Sequence, residues 1–208
     1  MGTLYKLTDE KGQTYGKTQW GEGVVHETSG KGELCGPGWL HAYTSPELAV
    51  LLNPIHTDFK KPLLWECEGE IGKSDNGLKV GTTKLTTVRK IEAPEVTTEQ
   101  RVAFGILCAL EVCKDVQFRE WAEGWLSGKD RTQAAAAKAA EAWAEARAAR
   151  AAEWATEAAE WAARAAEAWE AEWAEARATE AAAEAAKAAA SLNFDLQALA
   201  KRALELEL

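Results

Sequence analysis

The stretch LLWECEGEI, residues 63–71, decides the fold class because its polar and apolar side chains alternate strictly. Trp65, Cys67, Gly69 and Ile71 fall on one side, and the other side carries three glutamates: Glu66, Glu68 and Glu70. A period of two residues is that of a β-strand with one covered face and one solvated face. The stretch therefore predicts a strand in a sheet.

Further strands flank this one. LYKLT (4–8) and QTYGKTQW (13–20) enclose the turn sequence DEKG, and GWLHAYT (38–44) follows a glycine-punctuated loop. GLKVGTTKLTTVRKI (77–91) is rich in Val, Thr and Lys and predicts one or two more strands. The first 91 residues thus predict a small mixed or antiparallel sheet.

A short helix interrupts the strands at SPELAVLLN, residues 45–53. Ser45 is a favoured N-cap residue and Pro46 suits the first helical position. The pair Asn53-Pro54 is expected to end this helix, because the residue before a proline avoids the helical conformation.

Two longer helices are predicted after Pro94. Thr97 and Gln100 have the spacing of a capping box, and the residues behind them, 101–113, are apolar nearly all round, which is typical of a core helix. VQFREWAEGWL (116–126) is the second helix, with four side chains expected on its buried side: Phe118, Trp121, Trp125 and Leu126.

Residues 134–190 form a low-complexity run in which 33 of 57 residues are Ala. Asp130 and Gln133 are the predicted start signal, and Ala has the highest helix propensity, so a long helix is expected. The tryptophans of the run follow at spacings of 11, 7, 8 and 4, which places them on one slowly drifting stripe: Trp143, Trp154, Trp161, Trp169 and Trp173.

An exposed stripe of this size predicts an interaction face. We expect self-association through residues 134–190; packing on the front domain, a foreign partner and a solvated tether are the alternatives. Behind the run, a 4-3 spacing of apolar residues predicts a short amphipathic helix after a break near 191–195: Leu192, Leu196, Leu199, Ala203 and Leu206.

The fold class predicted is therefore α+β, with a sheet and two or three helices followed by the long helix and a short one. The predicted domains are a head domain at 1–128, the Ala/Trp-rich helix at 129–190 and the C-terminal amphipathic helix at 191–208.

Charge and cysteine usage exclude several classes of function. The net charge of −9 has no basic stretch, which argues against nucleic-acid binding and against attachment to an anionic membrane. The N-terminal residues do not form a signal peptide, and no apolar run is long enough to cross a membrane. Four scattered cysteines without a CxxC pair predict reduced thiols in a cytoplasm, with no metal site and no cofactor.

Alternation along 38–44 places Trp39, His41 and Tyr43 on one face, and we take that face as the candidate ligand-binding surface, with Glu66 and Glu68 nearby. Trp and Tyr rings stack on bases, and carboxylates bind ribose hydroxyls. Cys35 and His41 are also the residue types of a nucleophilic pair, although Gly36, Pro37 and Gly38 are typical of a structural turn.

Three sequences together carry a resemblance: ELCGPGWLHAYTSPELAVLLNP, LWECEGEI and LKVGTTKLTTVRKI. They resemble an uncharacterised domain of bacteriophages and prophages over about residues 3–127, with ten matching positions: Cys35, Gly38, Trp39, His41, Ala42, Gly69, Glu70, Ile71, Lys79 and Val80. The resemblance implies a phage origin, a bacterial host cytoplasm and a head followed by an Ala-rich tail. It implies no catalytic mechanism.

The function expected is that of a non-enzymatic phage-type binding protein, whose head recognises a host protein or a small nucleotide-derived signal of host defence and whose long helix multimerises it. No catalytic residue is assigned in this case. One alternative is an NAD-dependent enzyme similar to ADP-ribosyltransferases, with Glu66 and Glu68 as its E-x-E motif. The other is a phage structural or scaffold protein.

Overall fold

A computed structural model of the chain describes residues 2–132, 134–136, 182, 184–190, 192 and 194–206, apart from the side chains of residues 54 and 55. The chain divides into two compact units, a sheet unit, Met1–Glu95, and a helical unit, Val96–Leu208. An antiparallel sheet and separate helices confirm the α+β class. The boundary between the units lies ahead of the predicted boundary at residue 128, and the division into head, run and C-terminal helix stays a prediction.

The sheet unit contains seven strands and one helix, α1, among its described residues. The strands are β1 (Gly2–Thr8), β2 (Gln13–Thr14), β3 (Thr18–Gln19), β4 (Val25–Glu27), β5 (Leu40–Ala42), β6 (Leu63–Ser74) and β7 (Val80–Ile91). Every pairing between these strands is antiparallel, in the order β1-β6-β7-β4, with β5 also on β7 and with β2 and β3 forming a separate small hairpin.

The long hairpin of β6 and β7 is the centre of the sheet, and it is bent. Three irregularities interrupt its register, the first between Glu66 and Cys67 and the others between Gly69 and Lys73. A bulge bends its strand and breaks the alternation of faces. Trp65 and Cys67 are buried as predicted, but Ile71 lies beyond the second irregularity and is 48% exposed, so the predicted alternation fails there.

The sheet closes on itself because Tyr43, directly after β5, pairs with Tyr5 of β1. The Tyr5 amide donates to the Tyr43 carbonyl at 2.9 Å, and the Tyr43 amide donates to the Tyr5 carbonyl at 2.8 Å. Since β5 also pairs with β7, the strands β1, β6, β7 and β5 form a ring. Closure removes the open edge that an exposed strand would present.

The interior of this ring is a compact apolar core. Leu40 and Leu63 pack against its buried members: Leu4, Trp20, Ala42, Trp65, Cys67, Val80 and Leu85. Leu7 and its partner Leu64 are also buried, on the opposite side of β1, where α1 (Pro46–His56) contacts that strand. The sheet is therefore covered on both faces near α1.

Two local predictions in the sheet unit are wrong. The sequence 13–20 is not one strand, because a 3-10 turn at Tyr15–Lys17 separates β2 from β3. The helix α1 begins at Pro46 with Ser45 as its cap, as predicted, but it continues through residue 54 to His56. Its last turn stays hydrogen-bonded because the Asn53 carbonyl accepts from the Thr57 amide at 2.9 Å.

The helical unit is built around α2 (Thr98–Val112), which carries the predicted capping box of Thr97 and Gln100. Ten of its residues are buried, as its apolar sequence indicates. The other helices are α3 (Val116–Leu126), capped by Asp115, and α4 (Leu196–Glu205), capped by Asp195. Phe118 and Trp125 of α3 are buried as predicted, whereas Trp121 and Leu126 are half-buried.

The end of the alanine-rich run belongs to this unit and packs closely. Residues 184–190 are helical, and five alanines among them are buried: Ala185, Ala186, Ala188, Ala189 and Ala190. Ala182 lies against Gly105 of α2, so closely that a Cβ atom added to Gly105 would be 3.1 Å from the Ala182 Cα. Small side chains permit this approach of two backbones. This end of the run is therefore buried inside its own unit.

The start of the run is capped by Thr132 and not by Asp130. The Thr132 hydroxyl accepts from the Ala135 amide at 3.2 Å, and Asp130 in turn accepts from the Thr132 amide at 3.0 Å. Residues 134–136 are helical. The five tryptophans of the run and most of the predicted long helix lie outside the described residues.

The C-terminal helix α4 contacts α2 along its apolar side, where Leu196, Leu199 and Ala203 are buried. Gln100 donates to the Leu204 carbonyl at 3.0 Å. The predicted break before this helix is confirmed in the described residues, since Leu192, Phe194 and Asp195 are not helical and lie between the helical residues 184–190 and Leu196; Leu192 is exposed. None of the described helices is long and apolar enough to span a membrane.

Substitutions at two helix glycines test how closely Gly105 packs against Ala182. Gly124 of α3 has open space where a Cβ would stand, so Gly124→Ala should raise the free energy of unfolding by about 0.5–1 kcal/mol through helix propensity alone. Gly105→Ala has the same propensity gain but forces α2 away from Ala182, and should lower the free energy of unfolding by about 1–2 kcal/mol. Urea denaturation measures both; equal stabilisation by the two substitutions would contradict this packing.

Candidate functional site

Trp39 lies on a pair of strand glycines. A Cβ atom added to Gly72 would stand 2.7 Å from Cζ3 of the indole, and one added to Gly81 would stand 3.0 Å from Cε3. The ring therefore occupies the space that side chains would fill, and we call Gly72 and Gly81 the glycine shelf. The indole Nε1 donates to the Gly32 carbonyl at 3.1 Å, and the side chain stays partly exposed.

Lys73 and Glu33 lie beside the Trp39 ring. The Lys73 ammonium donates to the same Gly32 carbonyl at 3.3 Å and to the Glu33 carboxylate at 3.1 Å. Two donors on one carbonyl place the ammonium close to the indole Nε1. The arrangement combines an aromatic face with a cation and a carboxylate, the groups that hold a base, a phosphate and a hydroxyl.

His41 is held by the same loop. Its Nε2 hydrogen-bonds the Leu34 carbonyl, which requires the proton on that nitrogen. Burial lowers the pKa of His41 below its ordinary value, so the neutral ring is favoured at neutral pH. His41 thereby fixes the loop that also carries Glu33, and its Nε2 is not paired with the exposed Cys35 thiol.

Tyr43 is buried and faces α1. Its hydroxyl lies 3.0 Å from Nδ1 of His56, and the two rings stack with centroids 5.8 Å apart. Burial raises the pKa of Tyr43 above its ordinary value. Its contacts fasten α1 to the strand that closes the ring.

Glu66 and Glu68 lie on the outer face of β6. Glu66 is half-buried and accepts from Arg89 of β7, with the Nη2 to Oε2 distance at 2.6 Å. Glu68 is exposed opposite Thr3 and Thr86. Tyr5 pairs with Glu66 on one side and with Tyr43 on the other, so it separates these two candidates. Among the described contacts, none joins either glutamate to Trp39 or His41.

Three of the four thiols are buried, which keeps them protonated. Burial raises the pKa of Cys67 to about 12, with Lys6 opposing the shift, and raises those of Cys108 and Cys113 as well. A thiolate is the reactive form of cysteine, so these three are structural. Within the described part of the chain, no group of three or more His, Cys, Asp and Glu side chains is placed to hold a metal ion.

Lys6 is a buried cation that the sequence analysis missed. It points into the strand ring, is 7% exposed, and donates to the His41 carbonyl at 2.8 Å. Its ammonium stands 4.4 Å from the centroid of the Trp20 ring. Among the described residues no carboxylate pairs with it, and burial lowers its pKa to about 8. The signal in the sequence was alternation, since Leu4 and Lys6 share a face of β1.

Comparison with protein-family models, with curated proteins and with solved structures gives no match to this chain. The geometry of its own residues is therefore the basis for a proposed function.

The uncompensated Lys6 should make stability depend on pH. Its pKa is about 8 in the folded chain and about 10.5 when unfolded, so the unfolded state binds more protons between these values. Lys6 should therefore contribute a rise in the free energy of unfolding between pH 8 and pH 10.5, while the buried thiols of Cys67, Cys108 and Cys113, whose pKa values are raised, contribute a fall in the upper part of this range. Lys6→Met should remove this rise and increase stability at pH 7 by about 1–3 kcal/mol.

Urea denaturation across this pH range measures the effect of Lys6. The control is Lys84→Met, because Lys84 also lies in the sheet but is exposed and paired with Glu27 at 2.8 Å. That variant should keep the pH dependence of the unaltered chain. Identical pH profiles for Lys6→Met and the unaltered chain would show that the Lys6 ammonium is not buried without a counter-charge.

Proposed function

We propose that this chain is a non-enzymatic binding protein of the phage type, whose sheet unit recognises its ligand through Trp39. The observation that carries the proposal is the position of the indole, which rests on the glycine shelf with its Nε1 bonded and remains partly exposed. A ring fixed in advance loses little conformational freedom when a second flat group stacks on it.

The groups around Trp39 favour a nucleotide-derived ligand over a host protein. Lys73 supplies a cation for a phosphate, and Glu33 supplies an acceptor for sugar hydroxyls. In this proposal His41 and Tyr43 are positioning residues, because their polar atoms are used by Leu34 and His56. Glu66 stabilises the sheet through its ion pair with Arg89, and Glu68 lies on the outer face.

Self-association through the alanine-rich run belongs to the same proposal. It rests on the single stripe formed by the five tryptophans in the sequence. Five alanines within residues 184–190 are already buried in their own unit, so the surface for a second copy would come from the part of the run that precedes them. Joining several binding units would raise avidity without new ligand contacts.

The NAD-dependent enzyme and the scaffold protein stay predictions. The enzyme alternative requires Glu68 to act on NAD, and its mark is NAD consumption that Glu68→Gln abolishes. The scaffold alternative requires large assemblies without a small ligand. Native mass spectrometry of the full chain reports subunit number and any retained nucleotide together, which separates the scaffold from the binding protein.

A test of the ligand site uses NAD, ADP-ribose and a cyclic dinucleotide as probes, with affinity measured by calorimetry. We expect at least one to bind, and Trp39→Ala to weaken it by roughly 5- to 100-fold, the usual effect of losing one base stack. Gly72→Ala should weaken it too, because its Cβ displaces the ring without removing it.

The matched control for Trp39 is Tyr15→Ala, which removes a fully exposed aromatic ring from another part of the sheet unit. It should leave the affinity unchanged. Tight binding that survives Trp39→Ala would refute the site, and no binding of any probe combined with no retained mass would refute the nucleotide class.

A further inference from the structure

A cleft in the helical unit lies between the end of α2, one side of α3 and the end of α4. Its volume is about 450 Å³, within the range of small-molecule sites. Four leucines form its apolar lining: Leu107, Leu110, Leu126 and Leu206. Leu107 is 1% exposed, so the cleft reaches down to the core of the unit.

Two of the three cations that line the cleft bind backbone carbonyls at the end of α2. The Lys114 ammonium donates to the Glu111 carbonyl at 2.6 Å, and the Arg119 guanidinium donates to the Leu110 carbonyl at 3.1 Å. Cations at a helix C-terminus satisfy its last carbonyls, so these two contacts have a structural role.

The third cation, Arg202, makes no such contact. It lies in the last turn of α4, is exposed, and makes no ion pair or hydrogen bond within the described part of the chain. Its neighbour Lys201 points elsewhere and lies 3.8 Å from Glu205. The planar guanidinium of Arg202 matches a carboxylate with two parallel hydrogen bonds.

The charge of the cleft sets the charge of its ligand. The three cations face two carboxylates, Glu111 and Glu123, which leaves one net positive charge in a chain of net charge −9. A single negative charge is complementary to this lining. A phosphate dianion would bring its second charge close to two carboxylates, which is unfavourable.

We propose that this cleft binds a small amphipathic monocarboxylate, with its apolar body against the leucines and its carboxylate on Arg202. The site lies in the helical unit and is independent of the nucleotide site at Trp39. An acyl chain fits the lining because its methylenes need apolar contact and its head needs one cation. A medium-chain fatty acid has this chemistry.

The experiment is calorimetric titration of the full chain with octanoate and decanoate below their micellar concentrations. We expect one site per chain, with decanoate binding roughly tenfold more tightly than octanoate through its two additional methylenes. Decanol, which has no charge, should bind at least fivefold more weakly than decanoate.

Two variants assign the site. Arg202→Ala should weaken decanoate at least fivefold and leave decanol unchanged, whereas Lys201→Ala, the adjacent exposed cation outside the cleft, should change neither. Circular dichroism checks that both variants fold. The absence of saturable binding, or equal affinities for the two variants, would overturn the proposal, as would an affinity independent of chain length.

Discussion

Closure of the sheet by the paired backbones of Tyr5 and Tyr43 is the constraint on which the sheet unit depends. The strand β5 pairs with β7 along one edge, and Tyr43, the residue after it, pairs with β1 on the other. These two pairings determine which face each side chain of β5 occupies. Leu40 and Ala42 face the core, whereas Trp39 and His41 face the loop at 28–38. The aromatic face is thus set by backbone pairing, and its loop is fastened to it by side chains.

Local chemistry made much of this fold predictable. The alternation around Trp65 and Cys67, the cap at Ser45 and the capping box at Thr97 depend on neighbours in sequence, and the structure has all three. The alternation failed at Ile71 because a bulge is set by the bending of a closed ring and not by the residues of one strand. Ring closure itself joins positions 38 residues apart and leaves no local pattern.

The sequence indicated which residue types form the candidate site better than it indicated which residues lie next to them. Trp39 was found by alternation, but the glycines beneath it come from two other strands, and only the pairing of β7 with both β5 and β6 brings them together. Alternation placed His41 and Tyr43 on one face; in the structure His41 bonds to Leu34 of the loop and Tyr43 bonds to His56 of α1, and the sequence pattern indicates neither partner. Lys6 was missed because a lysine in a strand is ordinarily assigned to solvent, and tertiary packing overrode that preference.

The glycine shelf beneath Trp39 constrains how the sequence can change in evolution. The indole of Trp39 occupies volume that side chains at positions 72 and 81 would need, so neither glycine can be replaced freely while the ring stays. A lineage that lost the indole would relax the requirement for glycine at position 72, where a residue with better strand propensity would then be favoured, whereas at position 81 Leu34 Cδ1 would still stand 2.5 Å from an added Cβ. Joint retention of the three would distinguish homologues that kept this surface from those that kept only the sheet.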